Sequence, residues 1–333
     1  MNRILIVGCG DIAMRVARLF GPNFKLYGLV RNPTYISKLR EAAIVPIIGD
    51  LDDRPSLQRV AGLANTVLHF APPPAAERTS GSSVSSYADN HYELTDNRTR
   101  NLLATLSGGQ LPQRLIYIST SGVYGDCKGE LVEETRSTQA HNPRAKLRSN
   151  AEKQIRQWAR RNGVHASILR VPGIYSADRL PLERLKKGTP TIIKDEDGYT
   201  NHIHADDLAS SVIAALHHAK PNRIYHTCDD SQMKMGEYFD AVANAFNLPH
   251  PPRVTRAEAQ NVLSPMLLSF MNESRRLSNK RMKQELRVVM RYPTVAHALE
   301  KISPDKIRPR DLSQSTAPTY ASPSLTQLNL PLF

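Results

Sequence analysis

Short apolar runs alternate with amphipathic stretches along the first half of the chain. The strand candidates are RILIVG, KLYGLV, VPIIGD, TVLHFA, RLIYIS and HASILRV; the helical patterns between them include DIAMRVARLF, PTYISKLREA, TDNRTRNLLATL and SNAEKQIRQWARRNG. Alternation of this kind is typical of parallel strands that are connected by crossover helices. The pattern therefore predicts an α/β fold with a Rossmann-type, doubly wound parallel sheet.

The alternation becomes irregular after residue 171. Residues 1–171 are predicted to form most of a dinucleotide-type domain, and residues 172–302 a mixed region that completes the sheet and forms a small C-terminal substrate lobe. From residue 303 the chain is rich in Pro, Ser and Thr, as in DLSQSTAPTYASPSLTQ. This composition predicts a disordered tail over residues 303–333.

Composition narrows the class of protein. The 333 residues, 40% of them hydrophobic, suffice for one large domain with a smaller companion. Cys9, Cys127 and Cys228 are far apart, which favours neither disulfides nor zinc and suggests a reducing cytoplasm. No apolar stretch has the length of a membrane span. The net charge of +13 is scattered along the chain, which favours a solvated basic surface, with anionic nucleotides as the likelier class of ligand and no direct nucleic-acid binding expected.

A glycine-rich turn follows the first strand candidate. Gly8, Gly10, Asp11, Ile12 and Ala13 belong to a G-x-G-x-x-A pattern that lies between the strand RILIV and a helical segment. Glycines at such a turn allow a pyrophosphate to approach the backbone, and the N-terminus of the helix offers free N–H groups. The turn predicts a dinucleotide site at the first β-to-α connection.

The second strand candidate ends in Arg31. An acid at this place would bond the ribose hydroxyls of NAD, whereas an arginine pairs with the 2′-phosphate of NADP. The expected cofactor is therefore NADP or NAD, with NADP slightly favoured. The alternative interpretation is an arginine that faces only solvent.

The motifs taken in order resemble the extended and atypical short-chain dehydrogenase/reductase superfamily, also called the NAD-dependent epimerase/dehydratase family. They are GCGDIA, GDLDD, HFAPPP, ISTSGVYG, LRVPGIYS, HIHADDLASSV and RRLSNKRMKQELRVVMRYPT, and the resemblance spans residues 1 to about 302. It implies an NAD(P)-dependent oxidoreductase or epimerase that acts on a nucleotide sugar or another small polar substrate. It also implies that Asp50 and Leu51 contact the adenine, and that Ala71, Pro72 and Pro73 line the nicotinamide side.

The segment ISTSGVYG carries the hydroxyl groups that the resemblance implies for catalysis. Thr120 stands four residues before Tyr124, where the family has a catalytic Ser or Thr, and Ser121 is a plausible substitute. Such a hydroxyl bonds the reacting oxygen of the substrate. Tyr124 either contacts the substrate or packs beside the cleft.

The chain departs from the family at its Tyr-x-x-x-Lys pair. When the A-E ending of the family helix is aligned, Arg144 occupies the tyrosine position and Arg148 the lysine position. An arginine stays charged and cannot shuttle a proton. Three explanations remain open: an enzyme that uses Tyr124 or Lys146 as its acid, a cofactor sensor without turnover, or an enzyme whose arginines clamp an acidic substrate.

The segment NHIHADD places His202, His204, Asp206 and Asp207 close together. Alternate residues of one strand share a face but rarely complete a metal site without a distant ligand. We therefore interpret this segment as a structural element that fastens the substrate lobe, and we predict no metal.

The chain ends in an apolar peptide, QLNLPLF. It resembles the peptide by which bacterial polymerases dock into the pocket of the DNA polymerase β sliding clamp. The anchors would be Gln327, Leu328, Leu330, Leu332 and Phe333. The alternatives are packing of this peptide on its own domain or on a homodimer partner. A noncatalytic, cofactor-sensing scaffold tethered to the clamp is accordingly the second functional hypothesis.

Overall fold

The computed structural model describes residues 2–74 and 94–302, apart from the side chain of Met266. The predicted tail and its QLNLPLF peptide lie outside these residues. The strands within them are β1 (Asn2–Val7), β2 (Phe24–Val30), β3 (Ile44–Ile48), β4 (Thr66–His69), β5 (Arg114–Thr120), β6 (Leu131–Val132), β7 (His165–Val171), β8 (Gly173–Tyr175), β9 (Thr191–Ile192), β10 (Tyr199–Thr200), β11 (His202–His204), β12 (Arg223–His226), β13 (Met233–Lys234), β14 (Arg253–Val254) and β15 (Arg276–Leu277).

Helices connect these strands. They are α1 (Asp11–Ala17), α2 (Ile36–Glu41), α3 (Asn97–Leu106), α4 (Pro143–Asn162), α5 (Leu182–Lys186), α6 (Ala205–His218), α7 (Met235–Ala245), α8 (Arg256–Val262), α9 (Pro265–Met271), α10 (Lys280–Glu285) and α11 (Val295–Ile302). Short 3-10 segments lie at Pro33–Tyr35, Arg54–Val60, Ser121–Tyr124 and Ala177–Arg179.

The main sheet confirms the predicted fold class. Within the described residues, its seven strands run parallel in the order β12-β7-β5-β4-β1-β2-β3. The order reverses at β1, because β2 and β3 extend to one side while the later strands extend to the other. In open parallel sheets a crevice opens at such a reversal, outside the carboxyl ends of the strands.

Both faces of the sheet are covered. Ile4 and Ile6 of β1 belong to the core that includes residues of α1 and α6, whereas Leu5 and Val7 belong to the core that includes residues of α3 and α4. The alternation follows from the two-residue period of a strand. A parallel sheet buried on both faces explains why its strands read as continuous apolar runs.

A smaller lobe packs beyond the sheet, as the fold prediction expects. Its main apolar cluster draws on α5, α7 and α11 and includes Tyr175, Phe239, Val242 and Leu299. A second cluster joins β9, α8 and α9. Within the part of the chain that the structure describes, no helix is both long and apolar enough to cross a bilayer.

Candidate cofactor-binding site

A cavity of about 580 Å³ opens at the reversal of strand order, between the carboxyl ends of β1, β2 and β4. Every residue that the sequence assigns to the cofactor lines this cavity except Pro73. Those residues are Gly8, Gly10, Asp11, Ile12, Ala13, Arg31, Asp50, Leu51, Ala71 and Pro72. The structure thus brings four separate sequence segments to one cavity wall.

The two glycines of the first turn have different roles. Gly8 has a φ of +97°, and a Cβ built on it would lie 2.4 Å from the backbone nitrogen of Ala71. Here the missing side chain lets β1 approach the turn after β4. A Cβ on Gly10 would meet no atom within 4 Å, so the absent side chain leaves open space in the cavity. Gly10 is also the N-cap of α1, and no side chain caps this helix.

Asp11 links the glycine-rich turn to the second half of the chain. Its carboxylate lies 3.1 Å from Nε of Arg15 and 3.6 Å from Nε of Arg179. Arg15 in turn contacts Asp206 at 2.5 Å, which joins α1 to the start of α6. Arg179 reaches the cavity from the segment after β8. The sequence motifs contain no signal for Arg179, because its contact with Asp11 is formed only by the fold.

The end of β2 presents Arg31 to the cavity, as the sequence predicts. Its side chain is 70% exposed, and its Nε lies 3.9 Å from a carboxylate oxygen of Asp50. Asn32 and Tyr35 line the same region. The guanidinium therefore stands at the rim without a close ion pair and is accessible to a phosphate.

Arg98 of α3 is a cavity residue that no sequence motif indicates. Its Nη2 and Nε donate to the carboxylate of Asp52 at 2.6 and 2.9 Å. Its Nη1 donates to the carbonyl oxygens of Pro72 and Pro73 at 3.3 and 3.5 Å. The bond to Arg98 lowers the pKa of Asp52. Arg98 thus links the loop after β3 to the loop after β4 through hydrogen bonds. Pro73 accepts one of these bonds, although it does not line the cavity.

The predicted catalytic hydroxyls lie at the end of β5, outside the set of cavity-lining residues. Thr120 is partly exposed, and its Oγ1 accepts a hydrogen bond from the N–H of Gly122 at 3.2 Å. Ser121 is buried in the following 3-10 turn. A Cβ built on Gly122 would lie 3.5 Å from Thr120 Oγ1 and 3.9 Å from Ala145 Cβ. The turn with Thr120 therefore packs against the first turn of α4.

Tyr124 does not line the cavity. Its buried hydroxyl lies 2.6 Å from Nε2 of His226 and accepts from Nη1 of Arg170, also at 2.6 Å. Desolvation raises the pKa of Tyr124 to about 12. The geometry therefore favours a packing role over the tentative role as an acid. Lys146, the other acid considered, is exposed on α4.

Arg148 occupies the lysine position of the family and lines the cavity beside Ile118. It is buried, and its Nη1 donates to the carbonyl oxygen of Ile118 at 2.7 Å and to the hydroxyl of Tyr117 at 3.0 Å. Arg144, at the tyrosine position, is exposed and does not line the cavity. The pKa of Arg144 is lowered by desolvation and by the charge of Arg148, so the two guanidinium groups interact electrostatically.

The NHIHADD segment makes aromatic and hydrogen-bonding contacts with neighbouring elements. His202 stacks on Tyr238 with ring centroids 4.1 Å apart. Nδ1 of His204 accepts from the N–H of Asp206, and the carboxylate of Asp207 accepts from the N–H groups of Arg291 and Tyr292. Across residues 2–74 and 94–302, no three His, Cys, Asp or Glu side chains are placed to hold a metal ion.

A glycine-rich turn and a cavity at the switch point of a parallel sheet define a dinucleotide-binding α/β protein. The sequence model of the NAD dependent epimerase/dehydratase family matches residues 12–228. The chain belongs to that family.

The chain is also similar to known proteins in sequence and in fold. Protein YeeZ of Escherichia coli K12 is 23% identical over 261 residues, which cover 75% of this chain and 86% of YeeZ. A functionally unknown conserved protein from Silicibacter pomeroyi is 26% identical, with a TM-score of 0.74 and coverage of 92% of this chain and 99% of the other. A Streptomyces venezuelae dTDP-glucose 4,6-dehydratase, solved with NAD bound, is 17% identical, with a TM-score of 0.70 and coverage of 90% and 96%; it is similar in fold.

Proposed function

We propose that the chain binds NADP or NAD in the cavity and acts as an oxidoreductase or epimerase on a nucleotide sugar or another small polar substrate. The observation that carries this proposal is the cavity itself, which gathers the glycine-rich turn, the end of β2 and the turn after β4. The open space at Gly10 and the uncapped first turn of α1 fit a pyrophosphate.

When bound, the nicotinamide supplies hydride exchange. The chain's own residues hold and orient the reactants. Gly8 and Gly10 allow close approach of the backbone, and Arg98 and Arg179 add positive charge to the cavity wall. Thr120 holds the reacting oxygen of the substrate by its hydroxyl. Arg148 brings a guanidinium group to the cavity wall, which stabilises negative charge but does not act as a proton acceptor.

The cofactor preference rests on Arg31, whose exposed guanidinium lacks a close ion pair. Titration of the purified protein with NADPH and NADH, followed by nicotinamide fluorescence, tests it. We expect tighter binding of NADPH, and Arg31→Ala should remove the preference. Arg18→Ala, at an exposed arginine after α1, is the control. Equal affinities that Arg31→Ala leaves unchanged overturn the NADP preference, and no binding of either cofactor overturns the function.

Turnover is a separate test. Candidate carbonyl substrates are added to the NADPH complex, and oxidation is followed by absorbance. We expect turnover that falls at least tenfold in Thr120→Ala, since one lost hydrogen bond to a developing charge has about this effect or more. Tight cofactor binding without turnover favours the cofactor sensor.

We also propose that the QLNLPLF peptide docks to a β sliding clamp. The peptide pattern alone supports this proposal. The competing hypotheses are that the peptide packs on its own domain or on a homodimer partner. A fluorescent peptide of residues 321–333 is titrated with purified clamp, alongside a peptide that carries Leu332→Ala and Phe333→Ala. We expect the two changes to abolish binding; absence of binding, or binding that they leave intact, removes the proposal. A cytoplasmic location likewise stays a prediction.

A further inference from the structure

Arg148 is a buried cation whose partners are neutral. Its residue is 7% exposed, and its hydrogen bonds go to a carbonyl oxygen and to the hydroxyl of Tyr117. In the part of the chain that the structure describes, no carboxylate lies within 4 Å of its guanidinium, and its buried Nε has no hydrogen-bond partner. Burying a charge without an opposite charge is costly.

The described titratable groups around Arg148 form no direct ion pair with it. Burial lowers the pKa of His69 to about 3, and the charge of Arg148 contributes, so this imidazole stays neutral. Desolvation raises the pKa of Tyr117 to about 12. The carboxylate of Asp96 caps α3 through the N–H groups of Arg98 and Thr99 and accepts from the Thr99 hydroxyl. The charge of Arg148 also acts on Asp96, but burial is the larger effect and raises the pKa of this carboxyl. Within the described residues, Arg148 therefore has an acid in its electrostatic surroundings but no direct ion pair.

Arg144 adds a second positive charge one helical turn away. The two arginines are four residues apart on α4 and thus share a face of the helix. Like charges at this spacing repel, in agreement with the lowered pKa of Arg144. Arg144 has no ion pair within the described residues. By contrast, Arg98 and Arg179 already face Asp52 and Asp11.

We propose that Arg144 and Arg148 together bind an oxyanion of the substrate, a carboxylate or a phosphate. This inference rests on the proposed function and deepens it, since it names the substrate class. An anion between the two guanidinium groups replaces their repulsion with two charge-assisted interactions. The site lies where α4 packs against the turn with Thr120, so the oxyanion sits beside the hydroxyl that holds the reacting oxygen.

Small probes test the site without assuming the shape of the substrate. The NADPH-loaded protein at low ionic strength is titrated with oxalate, with inorganic phosphate and with neutral oxamide. Binding is followed by isothermal titration calorimetry and by the Nε–Hε signals of ¹⁵N-arginine-labelled protein. We expect at least one of the two anions to bind and to shift the Arg148 signal, while oxamide does not. Preference for oxalate indicates a carboxylate substrate, and preference for phosphate a phosphorylated one.

Variants on the same helix complete the test. Arg144→Gln should weaken anion binding about tenfold, because one charge-assisted interaction is lost. Arg160→Gln, at an exposed arginine in the last turn of α4, also removes one positive charge and should leave the anion affinity unchanged. Arg144 is exposed, so its loss should leave the fold intact even if a variant of the buried Arg148 does not fold.

The outcomes separate the two proposals. If NADPH binds but neither anion binds more tightly than oxamide, the inference is overturned and the proposed function stands. Equal anion affinity in Arg144→Gln and Arg160→Gln also overturns it. If the wild-type protein does not bind NADPH or NADH, the proposed function itself fails.

Discussion

At the scale of single residues, the two glycines of the glycine-rich turn, Gly8 and Gly10, have different roles. Gly8 is required by the fold, since it combines positive φ with backbone contact at Ala71. Gly10 has open space where its side chain would be, so the fold does not require it. The motif therefore joins a structural glycine to one whose use is the approach of a ligand.

Substitution of the two glycines should therefore have different effects on stability and on cofactor binding. Gly8→Ala should destabilise the protein by about 1–3 kcal/mol or more, because its Cβ would overlap backbone that cannot move away. Gly10→Ala should keep the free energy of unfolding within about 0.5 kcal/mol of the wild type. It should nevertheless weaken NADPH binding about tenfold or more through steric exclusion. Urea unfolding and fluorescence titration measure the two effects; undiminished NADPH affinity in Gly10→Ala contradicts the assignment.

Tyr124 provides a second residue-scale prediction. Its hydroxyl connects the buried side chains of His226 and Arg170, so Tyr124→Phe leaves polar groups without a partner. We expect a loss of about 1–3 kcal/mol of stability with unchanged NADPH affinity, since Tyr124 does not line the cavity. Denaturant unfolding and cofactor titration measure both. Unaltered stability with loss of turnover would instead restore the catalytic role of this tyrosine.

At the scale of elements, α4 belongs to both the core and the site. Ala151 and Ile155 pack into the core beneath the sheet, while Arg148 reaches the cavity. Glu152 on this helix pairs with Arg170 of β7 at 2.6 Å and accepts from the hydroxyl of Ser119 on β5. Both charged side chains are about 5% exposed or less. This pair fixes the position of α4 against two strands.

Breaking the ion pair between Glu152 and Arg170 should reduce the free energy of unfolding. Glu152→Gln should reduce stability by about 3–5 kcal/mol, because Arg170 is left as an uncompensated buried charge. Adding Arg170→Met should recover part of the loss, so the double variant loses less than the sum of the two single variants. Glu183→Gln, which breaks the exposed pair with Lys186, serves as the control and should cost less than about 1 kcal/mol. Additive losses in a urea double-mutant cycle would exclude the coupling.

At the scale of the whole molecule, buried histidines set the response to acid. Burial lowers the pKa of His69, His202 and His226 to about 3 and that of His204 to about 4. The unfolded chain binds protons on these groups below about pH 6.5, whereas the folded chain does not. The stabilisation is thus fully present above that pH and is lost as the pH falls. Asp229, whose pKa burial raises to about 7, opposes this trend. Burial also raises the pKa of three other carboxyls that act in the same direction, Asp96, Asp197 and Asp207.

The free energy of unfolding should therefore fall as the pH is lowered from 7.5 to 5. Each of the four histidines contributes a slope of up to about 1.4 kcal/mol per pH unit. His69→Gln should reduce the slope of the unfolding free energy against pH by up to about 1.4 kcal/mol per pH unit, which corresponds to one proton. His165→Gln, at an exposed histidine, is the control and should leave this slope unchanged. Urea unfolding between pH 5 and 7.5 measures the slope, and a stability that rises toward pH 5 contradicts the prediction.

Local patterns in the sequence determine much of this protein. The apolar runs of β1 to β5 and β7 predict strands because a parallel sheet buries both of their faces. The spacing of Gly8 and Gly10 predicts a turn against a ligand, and the alignment at Glu152 indicates that arginines replace the family's tyrosine and lysine. Each signal lies within a few residues and can be read without knowing what packs against it.

Only the tertiary structure decides what depends on distant partners. The short RIYH segment of β12 lacks a strand-length apolar run, and its conformation comes from pairing with β7. Arg98 reaches Asp52, 46 residues earlier, and Tyr124 reaches His226, 102 residues later. The sequence thus establishes which groups are present in the site, because these are local. The fold decides which of these charges are paired and which hydroxyls are hydrogen-bonded, because ion pairs, hydrogen bonds and burial depend on residues that are distant in the sequence and close in space.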